Sequence, residues 1–420
     1  MLKEISVNLG NFLLSLSDAV DLASPSIASH QLRTAFVAWQ IGKVARLREE
    51  TIEKIYIAAL LHDVGALTPE EKILLHDFEE ENPETHCVRG ESLFESTPLL
   101  RPAARIVRFH HRPWNKWETS IDSPDVLESQ VLFLADLLER LIKRGQYILH
   151  QVEMLTSKIT SISGSKIHPD IVDMFMVISK REDFWLDLMS PRLYSLLLHF
   201  GPFRRVEIDL QGISSLAWLF RSIIDFRSRF TATHSTGVAE SAALLSRIFG
   251  LTETEVSLMQ VAGYFHDLGK LAVPNSILNK PDKLTKEEFA VIKQHTYFTY
   301  TVLNTIGELD QITEWAAFHH EKLDGSGYPF HISADKMSTG CRIMAVADIF
   351  TALAEDRPYR KGMQRKEIER ILTDEANKNF LDRRIVNLLL ENYDELSVGA
   401  KEKQVISKEY YEKQFAKFEE

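Results

Sequence analysis

Cysteine is almost missing from this 420-residue chain, which carries only Cys87 and Cys341. Two thiols cannot build a disulfide framework, so a reducing cytoplasm is the expected compartment. Long apolar runs are missing too. No stretch of about 18 or more apolar residues occurs, which argues against a membrane-spanning helix. Met1–Val20 mixes Glu4, Asp18 and polar residues among its leucines, the pattern of an amphipathic helix start and not of a signal peptide. A basic surplus is also lacking: 49 Lys and Arg against 60 Asp and Glu leave a formal charge of -11. That argues against broad binding of DNA or RNA. It does not exclude a small anionic ligand, because bound metal ions can reverse the field inside a pocket. Alternating strand patterns are scarce, and Arg205–Leu210 is the best short extended candidate. No receiver or coiled-coil sensor segment is recognisable.

What is present reads as helix. Ile52–Leu61, Leu127–Leu141, Val238–Phe249 and Gln311–His320 carry apolar residues at helical spacing. Gly201-Pro202, Pro274 and Pro281 fall between such segments. The expected fold is all-α, and the length predicts two or three domains. Apolar residues at 45% and charged residues at 26% suit an ordinary globular protein.

The chain contains one unit twice. The C-terminal half presents His234, His266-Asp267, His295, His319-His320 and Asp348; the N-terminal half presents His30, His62-Asp63, His86, His110-His111 and Asp136. The first His precedes the His-Asp pair by 32 residues in both copies (30 to 62; 234 to 266). The third His precedes the His-His pair by 24 in both (86 to 110; 295 to 319). The other two intervals differ. The second copy gains residues in the turn-rich loop Val273–Pro281 and in a Gly-Tyr-Pro segment after its His pair. Kept helical spacings with varied loops are the behaviour of a duplicated domain. The boundary is expected around Ser190–Arg205, giving domains at 1–200 and 201–400, then a charged tail at 401–420 that reads as a solvated helix or frayed end.

The residue types suggest chemistry. Helices hold ligands on a rigid backbone, and several can converge on one point. Asp267 can bridge two ions while His266 binds one, and Asp348 sits inside the apolar segment Ile343–Leu353, where an unpaired carboxylate is costly. Core packing explains any one of these residues; a metal centre explains the set. Two adjacent metals suit phosphodiester hydrolysis, since they activate a bridging hydroxide and stabilise the attacking and leaving oxygens. Lys270, four residues after His266, lies on the same face if the helix persists, and there it reaches the phosphate or the nucleophile.

His266-Asp267-Leu268-Gly269-Lys270, His319-His320 with Gly325-Ser326-Gly327-Tyr328-Pro329, and Ala347-Asp348, in that order, resemble the HD-GYP family. These are bacterial metal-dependent phosphodiesterases that open cyclic dinucleotides. The resemblance implies His234, His266, Asp267, His295, His319, His320 and Asp348 as metal ligands, with Asp267 and Lys270 catalytic. It implies ligand contacts from Gly327, Tyr328 and Pro329, and from Arg357 and Arg360 of a downstream basic motif. Physically, Tyr328 can stack on the ligand and the two guanidinium groups can pair with phosphate. Three positions depart from the family pattern. Phe230 stands where members with a third metal carry Glu, so two divalent ions are expected: iron or manganese first, zinc or cobalt as alternatives. Thr351 replaces a common Asp, and Thr299 a usual Gly.

The N-terminal copy keeps His30, His62, Asp63, His86, His110, His111 and Asp136 as a second candidate metal site. Ala66 stands in place of the Lys, and Arg112-Pro113-Trp114-Asn115 in place of Gly-Tyr-Pro. A regulatory or structural HD domain is expected there, with hydrolysis of a different phosphate ester or an empty site as alternatives. For the whole chain the expected activity is hydrolysis of cyclic di-GMP or 3',3'-cyclic GMP-AMP to a linear dinucleotide. A non-catalytic cyclic-dinucleotide sensor or scaffold, and a nucleotide phosphohydrolase of the broader HD superfamily, are the competing readings. Beyond the substrate, a homodimer or a signalling-protein partner would fit this class.

Overall fold

The computed structural model describes residues 5–24, 27–77, 84–227, 233–356 and 361–414. Phe230, Arg357 and Arg360 lie outside them. Two units emerge: Val7–Ala66 with Glu70–Ile208, and a second built mainly from Asp209 onward. The division falls at Ile208/Asp209, just past the expected interval Ser190–Arg205, half of which is a further helix (Leu193–Phe200).

After strand β1 (Ser6–Asn8), the N-terminal unit runs α1 (Leu9–Val20), α2 (His30–Val44), α3 (Glu49–Leu61), α4 (Pro69–Asp77), α5 (Glu84–Glu95), α6 (Ala104–Phe109) and α7 (Pro124–Leu141). Then follow α8 (Val152–Ser161), α9 (Pro169–Ile178), α10 (Glu182–Leu188), α11 (Leu193–Phe200) and strand β2 (Glu207–Asp209), which pairs with β1 in the one sheet among the described residues. Asn8 caps α1 by accepting from the Asn11 N–H at 2.9 Å, and its amide donates to Arg204 O at 3.1 Å. Helix α2 packs on α3 and α7. Phe36, Leu60 and Leu134 are buried at that contact's core.

The C-terminal unit repeats the plan with α12 (Leu210–Asp225), α13 (His234–Phe249), α14 (Glu253–Phe265), α15 (Asn275–Leu278), α16 (Lys286–Ile306), α17 (Asp310–Ala317), α18 (Thr339–Ala354), α19 (Arg365–Asn377), α20 (Arg383–Glu391) and α21 (Tyr393–Gln414). Capping boxes, Thr252 with Glu255 and Thr285 with Glu288, start α14 and α16. Helix α13 packs on α14, α18 and α21, over buried Val238, Met259, Ala262, Met344 and Val346. The charged segment from Lys401 is continuous with α21. Its Ser407 and Tyr411 are buried, so one face of this segment is packed and not solvated.

Candidate metal centre

Five helices deliver the C-terminal candidate ligands. His234 is the first residue of α13, and Asp225, the last of α12, receives the Ser235 N–H at 3.1 Å and its hydroxyl at 2.7 Å. A donor that the helix start leaves unpaired is thereby satisfied. Burial pushes the Asp225 carboxyl up to about 6 against the pull of Arg221. The N-terminal copy does the same: Asp21 receives the Gln31 N–H at 3.0 Å, next to His30 at the start of α2.

Helix α14 stops at Phe265, and Leu268–Ala272 form a 3-10 turn. The helix of His266 thus does not persist to Lys270, and the shared face that depended on it is not formed. From the turn Lys270 donates to Asp267 Oδ2 at 2.5 Å. Arg227 braces this turn through Val273 O at 2.7 Å and Lys270 O at 2.5 Å. Gly269 lets the turn press directly on α16, since a Cβ there would lie 1.9 Å from His295 O; at Gly65 a Cβ would lie 1.9 Å from His86 O. Thr299, the departure from the family's Gly, closes the same contact. Its hydroxyl accepts the Gly269 N–H at 3.0 Å and donates to His266 O at 3.1 Å. Thr351 is buried and donates to Ser241 Oγ at 3.4 Å.

Carbonyls orient the imidazoles. His266 Nδ1 donates to Gly263 O at 2.8 Å, His295 Nδ1 to Ile292 O at 2.6 Å and His319 Nδ1 to Ala316 O at 2.7 Å. A carbonyl only accepts, so each ring carries its proton on Nδ1 and turns an Nε2 lone pair inward. His234 Nδ1 donates to Glu355 Oε2 at 2.9 Å instead, and Gln404 Nε2 of α21 donates to the other oxygen of that carboxylate at 2.5 Å.

The inward atoms form two groups, His234, His266 and Asp348, and His295, His319 and His320. Asp267 faces both. Its Oδ2 lies 3.2 Å from His266 Nε2, and its Oδ1 lies 3.5 Å from His295 Nε2. Asp348 also divides, with Oδ1 3.3 Å from His234 Nε2 and Oδ2 3.8 Å from His320 Nδ1. All are buried except His320, which is half-buried. Burial raises the Asp267 carboxyl, but the neighbouring His266 and the Lys270 ammonium outweigh it and hold the group well below the usual carboxylate range. Burial pushes His295 down to about 3, so it stays a neutral donor. His266 Nε2 and Asp267 Oδ1 are buried with no hydrogen-bond partner. Unpaired buried polar atoms are costly, and a divalent cation beside each, one per group, is the natural counterpart. The donor set of imidazoles and carboxylates fits a transition-metal pair.

An open cleft lined by Asp225, Arg227, His234, Asp267, Lys270 and Asn275 reaches the centre. The Gly-Tyr-Pro loop stands over the other group. Tyr328 N–H donates to His320 O at 3.2 Å, and its half-buried ring lies 4.9 Å from the His320 ring. Glu321 anchors the loop, receiving the Phe330 N–H at 2.7 Å and the Ile332 N–H at 3.2 Å. Gly327 has no room for a side chain, since a Cβ would lie 2.4 Å from Glu321 Cα. Pro329 follows through a cis peptide bond.

The N-terminal set converges as well. His30 Nε2 lies 3.4 Å from Asp136 Oδ1 and 3.6 Å from Asp63 Oδ2; His62 Nε2 lies 3.4 Å from Asp63 Oδ2. His86 Nε2 lies 3.7 Å from Asp63 Oδ1 and 3.3 Å from His110 Nε2, and His111 Nδ1 lies 3.9 Å from Asp136 Oδ2. His30 Nδ1 pairs with Glu139, which also receives Arg33 at 2.8 Å and Arg144 at 3.0 Å. Arg112-Pro113-Trp114-Asn115 is bound away from the ligands: Trp114 N–H donates to Lys166 O at 2.7 Å and Asn115 N–H to Ser165 O at 2.9 Å.

Several residues were not foreseen. Glu139 and Glu355 sit at different distances from their helix aspartates, so comparison of the copies does not align them. Asp21 and Asp225 were legible, because each stands nine residues before its histidine. Glu321 shows itself only through its contacts, whereas Arg140, four residues past Asp136 within a predicted helix, carried an i, i+4 signal.

A family model described as HD domain matches residues 219–385, and another so described matches residues 27–141. The chain is 30% identical over 410 residues to 3'3'-cGAMP-specific phosphodiesterase 1 of Vibrio cholerae, covering 94% of this chain and 95% of that one. It is 34% identical over 194 residues to the cyclic di-GMP phosphodiesterase response regulator RpfG of Xanthomonas campestris, covering 45% of this chain and 50% of that one. A crystal structure of a cyclic GMP-AMP specific phosphodiesterase in V. cholerae shares the fold, with a TM-score of 0.65 at 22% identity over 93% of this chain and 98% of that one. With a relative matched over 94% of this chain, His-Asp pairs in both copies and the Gly-Tyr-Pro turn beside the second, the chain belongs to the HD-GYP family.

Proposed function

We propose that this chain hydrolyses a cyclic dinucleotide, with 3',3'-cyclic GMP-AMP the first substrate to test and cyclic di-GMP the second. One observation carries the reading: the two oxygens of Asp267 face two separate imidazole groups, each with its lone pairs turned inward. The choice of substrate is supported by the relative that spans both copies, named for 3'3'-cGAMP, whereas RpfG, named for cyclic di-GMP, matches 45% of the chain.

His234, His266, Asp267 and Asp348 would hold one divalent ion, and Asp267, His295, His319, His320 and Asp348 a second, iron or manganese first. When bound, such a pair supplies Lewis-acid polarisation of the phosphate and an activated water. The residues of the chain do the rest. Lys270, partly exposed at the cleft, holds a positive charge beside Asp267 and on the side where a phosphate enters. Tyr328 offers an aromatic face next to His320 and restricts how the dinucleotide ring lies. Arg357 and Arg360 are proposed as phosphate partners on sequence grounds. Glu355 and the three carbonyls keep the imidazoles turned inward. A linear dinucleotide is the expected product, and the N-terminal copy serves a regulatory or structural role.

Iron-loaded and manganese-loaded protein should be given cyclic GMP-AMP, cyclic di-GMP and cyclic di-AMP separately, with products resolved by chromatography and mass spectrometry. Turnover of one of them, lost in Asp267→Ala, is expected. No turnover of any by protein with confirmed metal would overturn the reading in favour of a sensor.

A further inference from the structure

The two halves of the N-terminal set are not equivalent. Arg140, one turn after Asp136 on α7, places Nη2 3.0 Å from Asp136 Oδ2, the oxygen that faces His111. Its side chain is 13% exposed, and Nη1 donates to Leu75 O at 3.2 Å. The other oxygen, Asp136 Oδ1, faces His30 at 3.4 Å and His62 at 3.6 Å. In that half the added donor is neutral: Gln31 Nε2 donates to Asp63 Oδ2 at 3.3 Å. The C-terminal copy has the opposite arrangement. Ala352 stands one turn after Asp348, and the cation is Lys270, at Asp267 Oδ2.

A guanidinium is positively charged at neutral pH, and this one is held by an ion pair to Asp136 Oδ2 and a hydrogen bond to Leu75 O. A lysine on a flexible stem can swing toward a substrate; this arginine is a fixed charge. We propose that Arg140 takes the place of a second cation, so that the N-terminal copy holds a single divalent transition-metal ion on His30, His62, Asp63 and Asp136. An ion held by His86, His110 and His111 would meet the guanidinium across a shared carboxylate oxygen, and like charges there repel. With one ion, Asp63 bridges nothing, and the two-metal arrangement is confined to the C-terminal copy.

The test is a metal count on the full chain, with Asp267→Ala and His295→Ala emptying the C-terminal centre. After manganese loading and desalting, elemental analysis should give one ion per chain. Adding Arg140→Ala should raise the count to two, and adding His62→Ala instead should lower it to zero. Two ions before Arg140 is replaced, none at all, or no response to either substitution would overturn the proposal. Should the combined variants fail to fold by circular dichroism, anomalous scattering from manganese-loaded crystals of the unsubstituted chain answers the same question. One peak is expected among His30, His62, Asp63 and Asp136, and a peak among His86, His110 and His111 would sink the idea. Loss or retention of dinucleotide hydrolysis does not enter this count.

Discussion

His30 is backed by Glu139, three residues past Asp136, whereas His234 is backed by Glu355, seven residues past Asp348. The position three past Asp348 is Thr351, which packs on α13 and leaves the imidazole to a carboxylate one turn further on. A charged donor sits on Asp136 in one copy and on Asp267 in the other. The lesson is that seven ligand-type residues can stay in register while the atoms that orient and neutralise them are exchanged. First contacts with an ion are constrained by its geometry; the supporting groups need only reach the same nitrogen or oxygen.

The largest expected break in the comparison is catalytic. Asp267→Ala should lower dinucleotide turnover by about 10²- to 10³-fold, the scale of losing a principal electrostatic stabiliser, whereas Asp63→Ala should lower it far less. Steady-state kinetics on both variants decides this, and equal losses would mean that the N-terminal copy shares in the chemistry. Metal removal comes next. Ions held at about a thousandfold over their Kd stabilise by about 4 kcal/mol each, so a chelator should speed hydrogen exchange more in the C-terminal half than in the N-terminal half. Equal acceleration would contradict the one-ion and two-ion assignment. Glu355→Gln and Glu139→Gln should each weaken metal affinity about 10- to 100-fold in their own copy and leave the other copy's affinity intact, as isothermal titration would record.

The smallest effect concerns Thr299 and its counterpart position in the other copy, Gly90. Thr299 joins α16 to the His-Asp turn by two hydrogen bonds, and Thr299→Ala should cost about 1–2 kcal/mol in a denaturant titration. Gly90, four residues past His86 as Thr299 is past His295, has no room for the reverse change, since a Cβ would lie 2.7 Å from Val107 Cγ1. Gly90→Thr should therefore destabilise more than Thr299→Ala; if it does not, the two contacts are not counterparts.

Much of the fold is legible in the amino-acid order. The predicted segments Ile52–Leu61, Leu127–Leu141 and Val238–Phe249 lie inside α3, α7 and α13, because an apolar stripe needs no partner to be identified. Gln311–His320 overran, since α17 ends at Ala317 and the His pair occupies the turn after it. Helix ends depend on a few backbone hydrogen bonds, which composition reports poorly. Lys270 was matched to Asp267 only once α14 had been seen to stop at Phe265.

By itself, the amino-acid order determined that this protein is helical, that it repeats one ligand pattern, and that only the second copy carries the Lys and the Gly-Tyr-Pro turn. Spacing along rigid helices is enough for that, because it limits which side chains can share a face. Tertiary structure decided the rest: that Asp267 divides its oxygens between two imidazole groups, that Glu139 and Glu355 play one part from unequal positions, and that His111 faces the same Asp136 oxygen as Arg140. Those are contacts between different helices and turns, set to within about an ångström by packing, and no interval counted along the chain contains that distance.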